Sequence, residues 1–266
     1  METDIKTANS GRKIILNILI IFFLAFIIYY SAMSILSPAR KLSAIKNEFV
    51  AEQTEENRAD ERIYSDSAYL HLLKEKAFLQ SRITMAETDS IYLTLNLADS
   101  TANLEISGVM VHSSKMKKMR ISKILRSGNE YVISSMLSSP LTIANDYATI
   151  KKEPLMIKMA PKDTSEYKPD ILPDTSDFEP VNYILEMDKG IKIYVYQEEK
   201  TEFSDRMHLY RFDLNDRLRN TWRSLKSVIC FKVPEYHPFI KIRLPKAKAK
   251  ILYRAIPRNG QVSVYR

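Results

Sequence analysis

An uncharged apolar run from Ile14 to Leu36 constrains the fold of this chain more than any other feature of its sequence. The run has 23 residues, and Asn17 is its one strongly polar side chain. Because a helix rises about 1.5 Å per residue, a run of this length crosses the roughly 30 Å hydrocarbon core of a bilayer. It is long for the hydrophobic region of a cleaved signal peptide. We therefore predict a membrane anchor over 14–36, preceded by a short cytoplasmic tail over 1–13.

The charges that flank this run do not decide its orientation. Three cations precede it and three follow it closely, so the excess of Lys and Arg that marks the cytoplasmic side is missing. A short tail before one span, with the rest of the chain behind it, predicts an anchor in the inner membrane with the C-terminal domain outside the cytoplasm, in the periplasm. A chain with one span is expected to be neither a channel nor a carrier.

The segment over 37–87 is expected to be a helical stalk. Pro38 is expected to mark a helix boundary just outside the span, and residues 39–83 contain few helix breakers. A heptad started at Leu42 is apolar at both ends of the segment and polar in its middle, which is not typical of a strong coiled coil. The stalk either pairs weakly with a second copy, giving a homo-oligomer, or consists of two helices with a solvated join. Residues 69–83 are expected to pack on the domain that follows.

From about residue 88 the apolar period changes from near 3.6 to 2, which is typical of strands. Alternate residues from Ile91 to Leu97 are apolar, a turn follows over 98–101, and the alternation resumes through Ile106, so a β-hairpin is predicted. The pattern as a whole predicts a mainly β domain with few helices over 88–266. Further strands are predicted over 130–137, 154–160, 182–188, 190–197, 227–233 and 239–244, helices over 213–226 and 245–256, and a surface excursion over 161–180.

Positive charge is concentrated in two stretches of this domain. The formal net charge is +8, and the runs 115–126 and 241–266 hold six and eight Lys or Arg residues without an acid. Such runs predict either a surface for anionic partners, such as phospholipid, cell-wall polymer or an acidic protein, or a solvated surface that keeps the protein soluble. An exported domain is not expected to bind nucleic acid. Five glycines, no nucleotide-binding motif and four scattered histidines predict no cofactor and no metal.

The single cysteine, Cys230, excludes a disulfide within the chain. It lies in an apolar, strand-like run, so we predict a buried and unreactive thiol. The alternative is a catalytic pair with His237, which would need a turn at Val233 and Pro234 to bring the two side chains together.

The C-terminal stretch "IRLPKAKAKILYRAIPRNGQVSVY" resembles the end of the L,D-transpeptidase catalytic-domain family, whose members cross-link peptidoglycan stems through a cysteine acyl-enzyme. In that family the cysteine motif ends in [IV]-R-[LM], and a short helix with Leu-Tyr and a final strand follow. The predicted hairpin also resembles the start of that family's domain. The resemblance implies an L,D-transpeptidase-like β domain over 88–266. The matching residues are Ile242, Arg243, Leu244, Leu252, Tyr253, Pro257, Gly260, Val262 and Val264.

The chain departs from this family where the reaction takes place. Lys241 stands at the position of the cysteine nucleophile, and Pro238, Phe239 and Ile240 replace the three residues before it. The stretch 220–230, where a second histidine of the family is expected, has none. A thiolate attack needs a sulfur, a base and donors for the oxyanion. The resemblance therefore implies a domain that has kept the fold without the reaction.

The favoured hypothesis is a membrane-anchored, catalytically inactive L,D-transpeptidase-like domain, a cell-envelope scaffold that binds peptidoglycan or a protein partner. One alternative is an active peptidoglycan-modifying enzyme that uses Cys230 with His237. The other is an unrelated β-rich subunit of a membrane secretion or division complex. The residues expected to bind the ligand are Lys241, Arg243, Lys246 and Arg254.

Overall fold

The structure, a computed structural model, describes residues 3–50, 67–152, 180–199 and 203–266. Contacts divide the chain into two compact units. The first unit comprises Met1–Ala44 and Asn215–Tyr236, and the second comprises Ile45–Leu214 and His237–Arg266.

Six helices and nine strands lie within the described ranges. The helices are α1 (Thr3–Val50), α2 (Ser67–Ala86), α3 (Lys123–Ser127), α4 (Glu130–Leu137), α5 (Phe203–Ile229) and α6 (Lys246–Ala255). The strands are β1 (Tyr92–Asn96), β2 (Thr101–Ile106), β3 (Val109–Lys115), β4 (Lys118–Ile121), β5 (Leu141–Ala148), β6 (Asn182–Met187), β7 (Lys192–Gln197), β8 (Phe239–Leu244) and β9 (Gln261–Tyr265).

Helix α1 contains the apolar run. Of the described helices it is the one that is long and apolar enough to cross a membrane, over Ile15–Glu48, and the predicted span over 14–36 lies inside it. The prediction of a helix boundary at Pro38 is wrong, because α1 continues through this proline to Val50. A proline removes one backbone hydrogen bond of a helix, and the strong helix formers Ala39, Arg40 and Lys41 that follow it favour continuation.

The nine strands form one sheet in the order β3-β2-β1-β9-β5-β6-β7-β8-β4. Strand β1 is parallel to β9 and β7 is parallel to β8, and the other neighbours are antiparallel. The two edge strands, β3 and β4, are consecutive in the chain and are separated only by Met116 and Lys117. The Met116 N–H donates to the Ser100 carbonyl, and the Lys117 N–H donates to the Arg243 carbonyl. The sheet therefore curls back until its two edges meet at this segment, as in a barrel.

The apolar core of the second compact unit lies on the inner face of the curled sheet. Leu93 of β1, Val262 of β9, Ile193 of β7 and Ile242 of β8 all belong to this core. Strands β6 and β7 are buried on both faces, because their outer residues pack against the part of α5 that precedes Leu214. The residues of this second, outer cluster are Ile184, Tyr194, Tyr196, Leu209, Phe212 and Phe239.

Several predicted elements are confirmed. The hairpin is β1 and β2, and the strands predicted over 182–188, 190–197 and 239–244 are β6, β7 and β8. The helix predicted over 213–226 is part of α5, and the helix predicted over 245–256 contains α6. A mainly β domain thus follows a long apolar helix. The strand predicted over 154–160 and nearly all of the excursion predicted over 161–180 lie outside the described residues.

Two predicted strands are wrong. Residues 130–137 form α4, because the Asn129 side-chain oxygen accepts hydrogen bonds from the N–H groups of Tyr131 and Val132 and caps the helix. Its apolar residues recur at helical spacing, and Val132 and Met136 are buried. Residues 227–229 complete α5 instead of starting a strand. The strands β3, β4 and β5 were not predicted from the sequence.

The prediction that residues 69–83 pack on the β domain is confirmed by α2. Ala77 and Met85 of this helix are buried, and the Phe78 ring lies 5.1 Å from the Tyr265 ring of β9. Weak pairing of two copies through the stalk stays a prediction, because residues 51–66 lie outside the described part of the chain.

A buried ion pair joins the neighbouring strands β6 and β7. Glu186 of β6 lies directly opposite Lys192 of β7, and the Lys192 Nζ is 2.6 Å from the Glu186 Oε1. Both residues are buried. Removing one partner of such a pair leaves an uncompensated charge away from water, which is costlier than removing both.

We expect the substitution Lys192→Met to lower the free energy of unfolding by about 3–5 kcal/mol, because it leaves the Glu186 carboxylate without this cation. The double variant Lys192→Met with Glu186→Leu is expected to recover most of the loss. Urea unfolding of the detergent-solubilised chain measures both. As a control, Lys117→Met removes a more exposed pair with Glu198, in which the charged atoms are 3.7 Å apart, and is expected to cost less than about 1 kcal/mol. Equal losses for Lys192→Met and Lys117→Met would contradict the prediction.

Candidate binding groove

The pairing of β4 with β8 brings the two basic runs of the sequence together. In this antiparallel pair Lys118 lies opposite Arg243, and Arg120 lies opposite Lys241. Residues directly opposite each other in neighbouring strands share one face of the sheet. Four cations from two distant parts of the chain therefore project from the same patch of sheet.

Strand β7 adds an aromatic residue to each of these cation pairs. Tyr194 is in register with Lys241, and Tyr196 is in register with Arg243. The patch thus has two rows across three strands. The first row is Tyr194, Lys241 and Arg120, and the second is Tyr196, Arg243 and Lys118. Because the rows are two residues apart along each strand, they are separated by roughly 6.6 Å.

Aromatic rings surround the ammonium group of Lys241. Its Nζ lies 4.4 Å from the ring centre of Tyr194, 5.5 Å from that of Phe239 and 5.9 Å from that of Tyr196. A cation above the face of an aromatic ring is attracted by the negative potential of that face. These three rings therefore hold the Lys241 ammonium in place on the patch.

The patch forms one wall of a groove of about 370 Å³. Helix α5 contributes Leu209 and Asp213 to it, and the Tyr196 hydroxyl donates a hydrogen bond of 2.9 Å to the Asp213 Oδ1. Among the described residues that line the groove there are four cations and one carboxylate, and this balance of charge favours anions. The lining residues are Lys118, Met119, Arg120, Tyr196, Leu209, Asp213, Lys241, Ile242 and Arg243.

The structure brings together two of the four predicted binding residues. Lys241 and Arg243 both line the groove, whereas Lys246 and Arg254 lie on α6 and are not among its lining residues. The Lys246 backbone N–H donates to both carboxylate oxygens of Glu199 at 2.8 Å, so this residue begins the helix. A ligand contact for Lys246 and Arg254 stays a prediction, and neither residue lines this groove.

Sequence reasoning missed the partners of Lys241 and Arg243. Lys118 and Arg120 were recognised only as members of a basic run, and Tyr196 and Asp213 were not recognised. The alternation of cations at 118 and 120 was the available signal, because alternate residues of a strand share a face. That these two cations lie opposite Arg243 and Lys241 is determined by the strand register, which the sequence does not reveal.

Tyr253, one of the residues on which the predicted family resemblance depends, is part of the folded core. Tyr253 of α6 is buried, its ring lies 4.9 Å from that of Tyr183, and its hydroxyl donates to Asp146 at 3.0 Å. Burial, with the nearby Asp146 carboxylate, raises the pKa of Tyr253 above its usual value. Its phenol therefore stays protonated and keeps this hydrogen bond at neutral pH.

The prediction of a buried Cys230 is wrong, because this residue is exposed. Helix α5 ends just before it, and the Lys232 N–H donates to the Ser227 carbonyl while the Phe231 N–H donates to the Val228 carbonyl. These two bonds form a Schellman turn, which directs the apolar run away from a strand.

Cys230 and His237 belong to different compact units. The His237 Nδ1 lies 3.1 Å from the Gly190 carbonyl oxygen. The catalytic pair of Cys230 with His237 stays a prediction that no contact within either unit supports. The described residues contain no group of three or more His, Cys, Asp or Glu side chains that could hold a metal ion.

No protein-family model matches the chain, and no curated protein or solved structure matches it either.

We expect a maleimide reagent to modify Cys230 in the folded, detergent-solubilised chain nearly as fast as in the denatured chain, because the thiol is exposed. Since Cys230 is the only cysteine, the mass of the intact chain reports the modification directly. The variant Cys230→Ser supplies the blank. A thiol that reacts only after denaturant is added would contradict the exposed position.

Proposed function

We propose that this chain is a membrane-anchored binding module, an L,D-transpeptidase-like β domain without cysteine catalysis that holds the carboxylates of peptidoglycan stem peptides. The observation that carries the proposal is the arrangement of four cations along one wall of the groove, in two rows that each continue to a tyrosine of β7. The resemblance of the C-terminal stretch to the L,D-transpeptidase family supports peptidoglycan as the ligand. The cations of the groove support a ligand with negative charge.

The pairing of like charges is the strongest argument for an anionic ligand. Lys118 faces Arg243 and Arg120 faces Lys241 across the β4–β8 pair, and like charges directly opposite each other destabilise a sheet. A bound carboxylate beside each pair offsets this repulsion, and an arginine in each pair matches the two oxygens of a carboxylate. The groove thus fits a ligand with two carboxylates separated by roughly the 6.6 Å between the rows.

The composition of the groove argues against transpeptidase chemistry. Among its described lining residues there is neither Cys nor His. Lys241, at the position where the resemblance expects the nucleophile, has its ammonium held by three aromatic rings. Covalent catalysis needs an activated nucleophile with a base beside it. The groove instead presents charges and rings, which are groups that bind.

The anchor supports a location at the cell envelope. Helix α1 is long and apolar enough to cross a membrane, and the proposed ligand lies outside the cytoplasm. We place the β domain in the periplasm, where a tethered module meets the peptidoglycan layer.

Binding to isolated peptidoglycan tests the function. We expect the full chain in detergent to co-sediment with peptidoglycan sacculi, and the variant Lys241→Glu with Arg243→Glu to lose at least about tenfold in affinity, which corresponds to about 1.4 kcal/mol. The control Lys76→Glu with Lys151→Glu makes the same change of charge at exposed residues outside the groove. It is expected to bind within about twofold of the unmodified chain at the same ionic strength. Undiminished binding by the groove variant, or an equal loss in both variants, would refute the proposal.

Labelling of Cys230 in cells tests the location. We expect a membrane-impermeant maleimide to modify Cys230 in intact spheroplasts, because the exposed thiol follows the anchor in the chain. The variant Cys230→Ser is the blank, and a cytoplasmic protein with an exposed thiol serves as the control for leakage. Modification that is absent in intact spheroplasts and appears after mechanical lysis without detergent would place this part of the chain in the cytoplasm and overturn the orientation.

A further inference from the structure

The end of α5 carries a stripe of exposed apolar side chains. Leu218, Trp222 and Ile229 are 57%, 70% and 60% exposed. Their spacing of four and seven residues places them on one face of the helix. Phe231, in the turn that follows, is 82% exposed. A contiguous apolar surface of this kind usually marks a binding site for another molecule or for a membrane.

The turn after α5 contacts α1 within the same compact unit. The Ser37 hydroxyl donates to the Pro234 carbonyl at 2.6 Å, and the Phe231 ring lies 6.1 Å from the ring of Tyr29. The Lys41 Nζ is 3.5 Å from the Glu235 carboxylate. These partners lie near the end of the apolar run over 14–36, where polar residues resume. The exposed stripe is thus attached to α1 at the level where that helix would leave the hydrocarbon core.

The backbone at Phe231 indicates that its ring has a role. Its φ angle is 56°, in the left-handed region where glycine is the usual residue at the end of a helix and where bulky residues are uncommon. Glycine would form the same Schellman turn without steric cost. The chain nevertheless carries an aromatic ring there and exposes it almost fully.

Cations flank the apolar stripe. Arg217, Arg223, Lys226 and Lys232 are exposed, whereas the nearby Asp216 is buried and bonded to Arg219 at 3.0 Å. An apolar stripe with a tryptophan, bordered by Lys and Arg, is typical of helices that lie in the interface of a membrane. The cations suit the anionic phosphates of lipid headgroups.

We propose that the segment Asn215–Tyr236 lies in the interface of the bilayer that α1 crosses, with its apolar stripe at the boundary of headgroups and acyl chains. The occupant of this surface is phospholipid. The inference rests on the membrane anchor of the proposed function, and it adds a second membrane contact beside the anchor. Two contacts restrict the tilt of the unit relative to the membrane, which one helix alone does not.

The only tryptophan of the chain, Trp222, lies in the stripe and reports its surroundings. The experiment reconstitutes the full chain into vesicles of phosphatidylcholine and phosphatidylglycerol, with and without brominated acyl chains. We expect brominated lipid to quench most of the tryptophan emission, and acrylamide in the water to quench little of it. Emission that acrylamide quenches freely and brominated lipid does not would overturn the inference.

Variants separate a lipid contact from a loss of folding. The triple variant Leu218→Ser, Ile229→Ser and Phe231→Ser is expected to lose at least half of the quenching by brominated lipid. Phe231→Gly preserves the turn, and it is expected to reduce the quenching without lowering the helix content measured by circular dichroism. The control Leu72→Ser, Leu79→Ser and Ile83→Ser changes exposed apolar residues of α2 and is expected to leave the quenching unchanged. Equal quenching in the triple variant and the unmodified chain would overturn the inference.

Extraction of the vesicles with alkaline carbonate distinguishes this inference from the anchor on which it rests. If the chain stays with the lipid and Trp222 is not quenched, the interfacial contact fails and the anchor stands. If carbonate removes the chain, the anchor and the interfacial contact fail together. The proposed binding to peptidoglycan is tested in detergent, where no bilayer is present. Neither outcome of the carbonate extraction therefore bears on it.

Discussion

The antiparallel pairing of β4 with β8 is the contact on which the β domain and its groove both depend. Met116 and Lys117 cross from one edge of the sheet to the other, and their N–H groups bond to the Ser100 and Arg243 carbonyls. These two bonds continue the pairing of β3 with β2 and the pairing of β4 with β8, so one continuous stretch of chain joins both ends of the strand order. The same pairing sets four cations side by side on the outer face. The pairing that closes the sheet is therefore also the pairing that forms the wall of the groove.

Residues that lie directly opposite each other in neighbouring strands stabilise a sheet when their charges differ in sign and destabilise it when the charges are alike. The β4–β8 pair has two such pairs of like charges. Departures of this kind are concentrated at functional sites, because stability there is given up for binding. The first compact unit shows another departure at Phe231, where a bulky residue adopts a backbone conformation that is usual for glycine. One departure concerns charge and the other concerns the backbone, and each is the starting point of a proposal. The proposed partners, an anionic ligand and a lipid surface, have the matching chemistry.

Prediction from the sequence succeeded where the signal is local. The length and composition of the run 14–36 located the apolar helix, and strand-like apolar runs located the first hairpin and the strands β6, β7 and β8. It failed where a short apolar run fits both periods, as in residues 130–137, whose helix is specified by the Asn129 cap. Cys230 was misplaced for a related reason, since a turn of two backbone hydrogen bonds ends α5 and leaves the thiol exposed. For the groove, the sequence indicated Lys241 and Arg243 as binding residues and also indicated Lys246 and Arg254, which do not line it.

The sequence by itself determined that a long apolar helix precedes a mainly β domain, and that the domain is basic in two stretches. Both properties follow from composition and from the spacing of neighbours along the chain, and no folded contact is needed to read them. The tertiary structure alone decided that these stretches pair, that Tyr194 and Tyr196 extend the rows, and that Asp213 of α5 joins the groove. Strand register and helix packing join residues far apart in sequence. A shift of one residue in β4 would turn Lys118 and Arg120 to the opposite face.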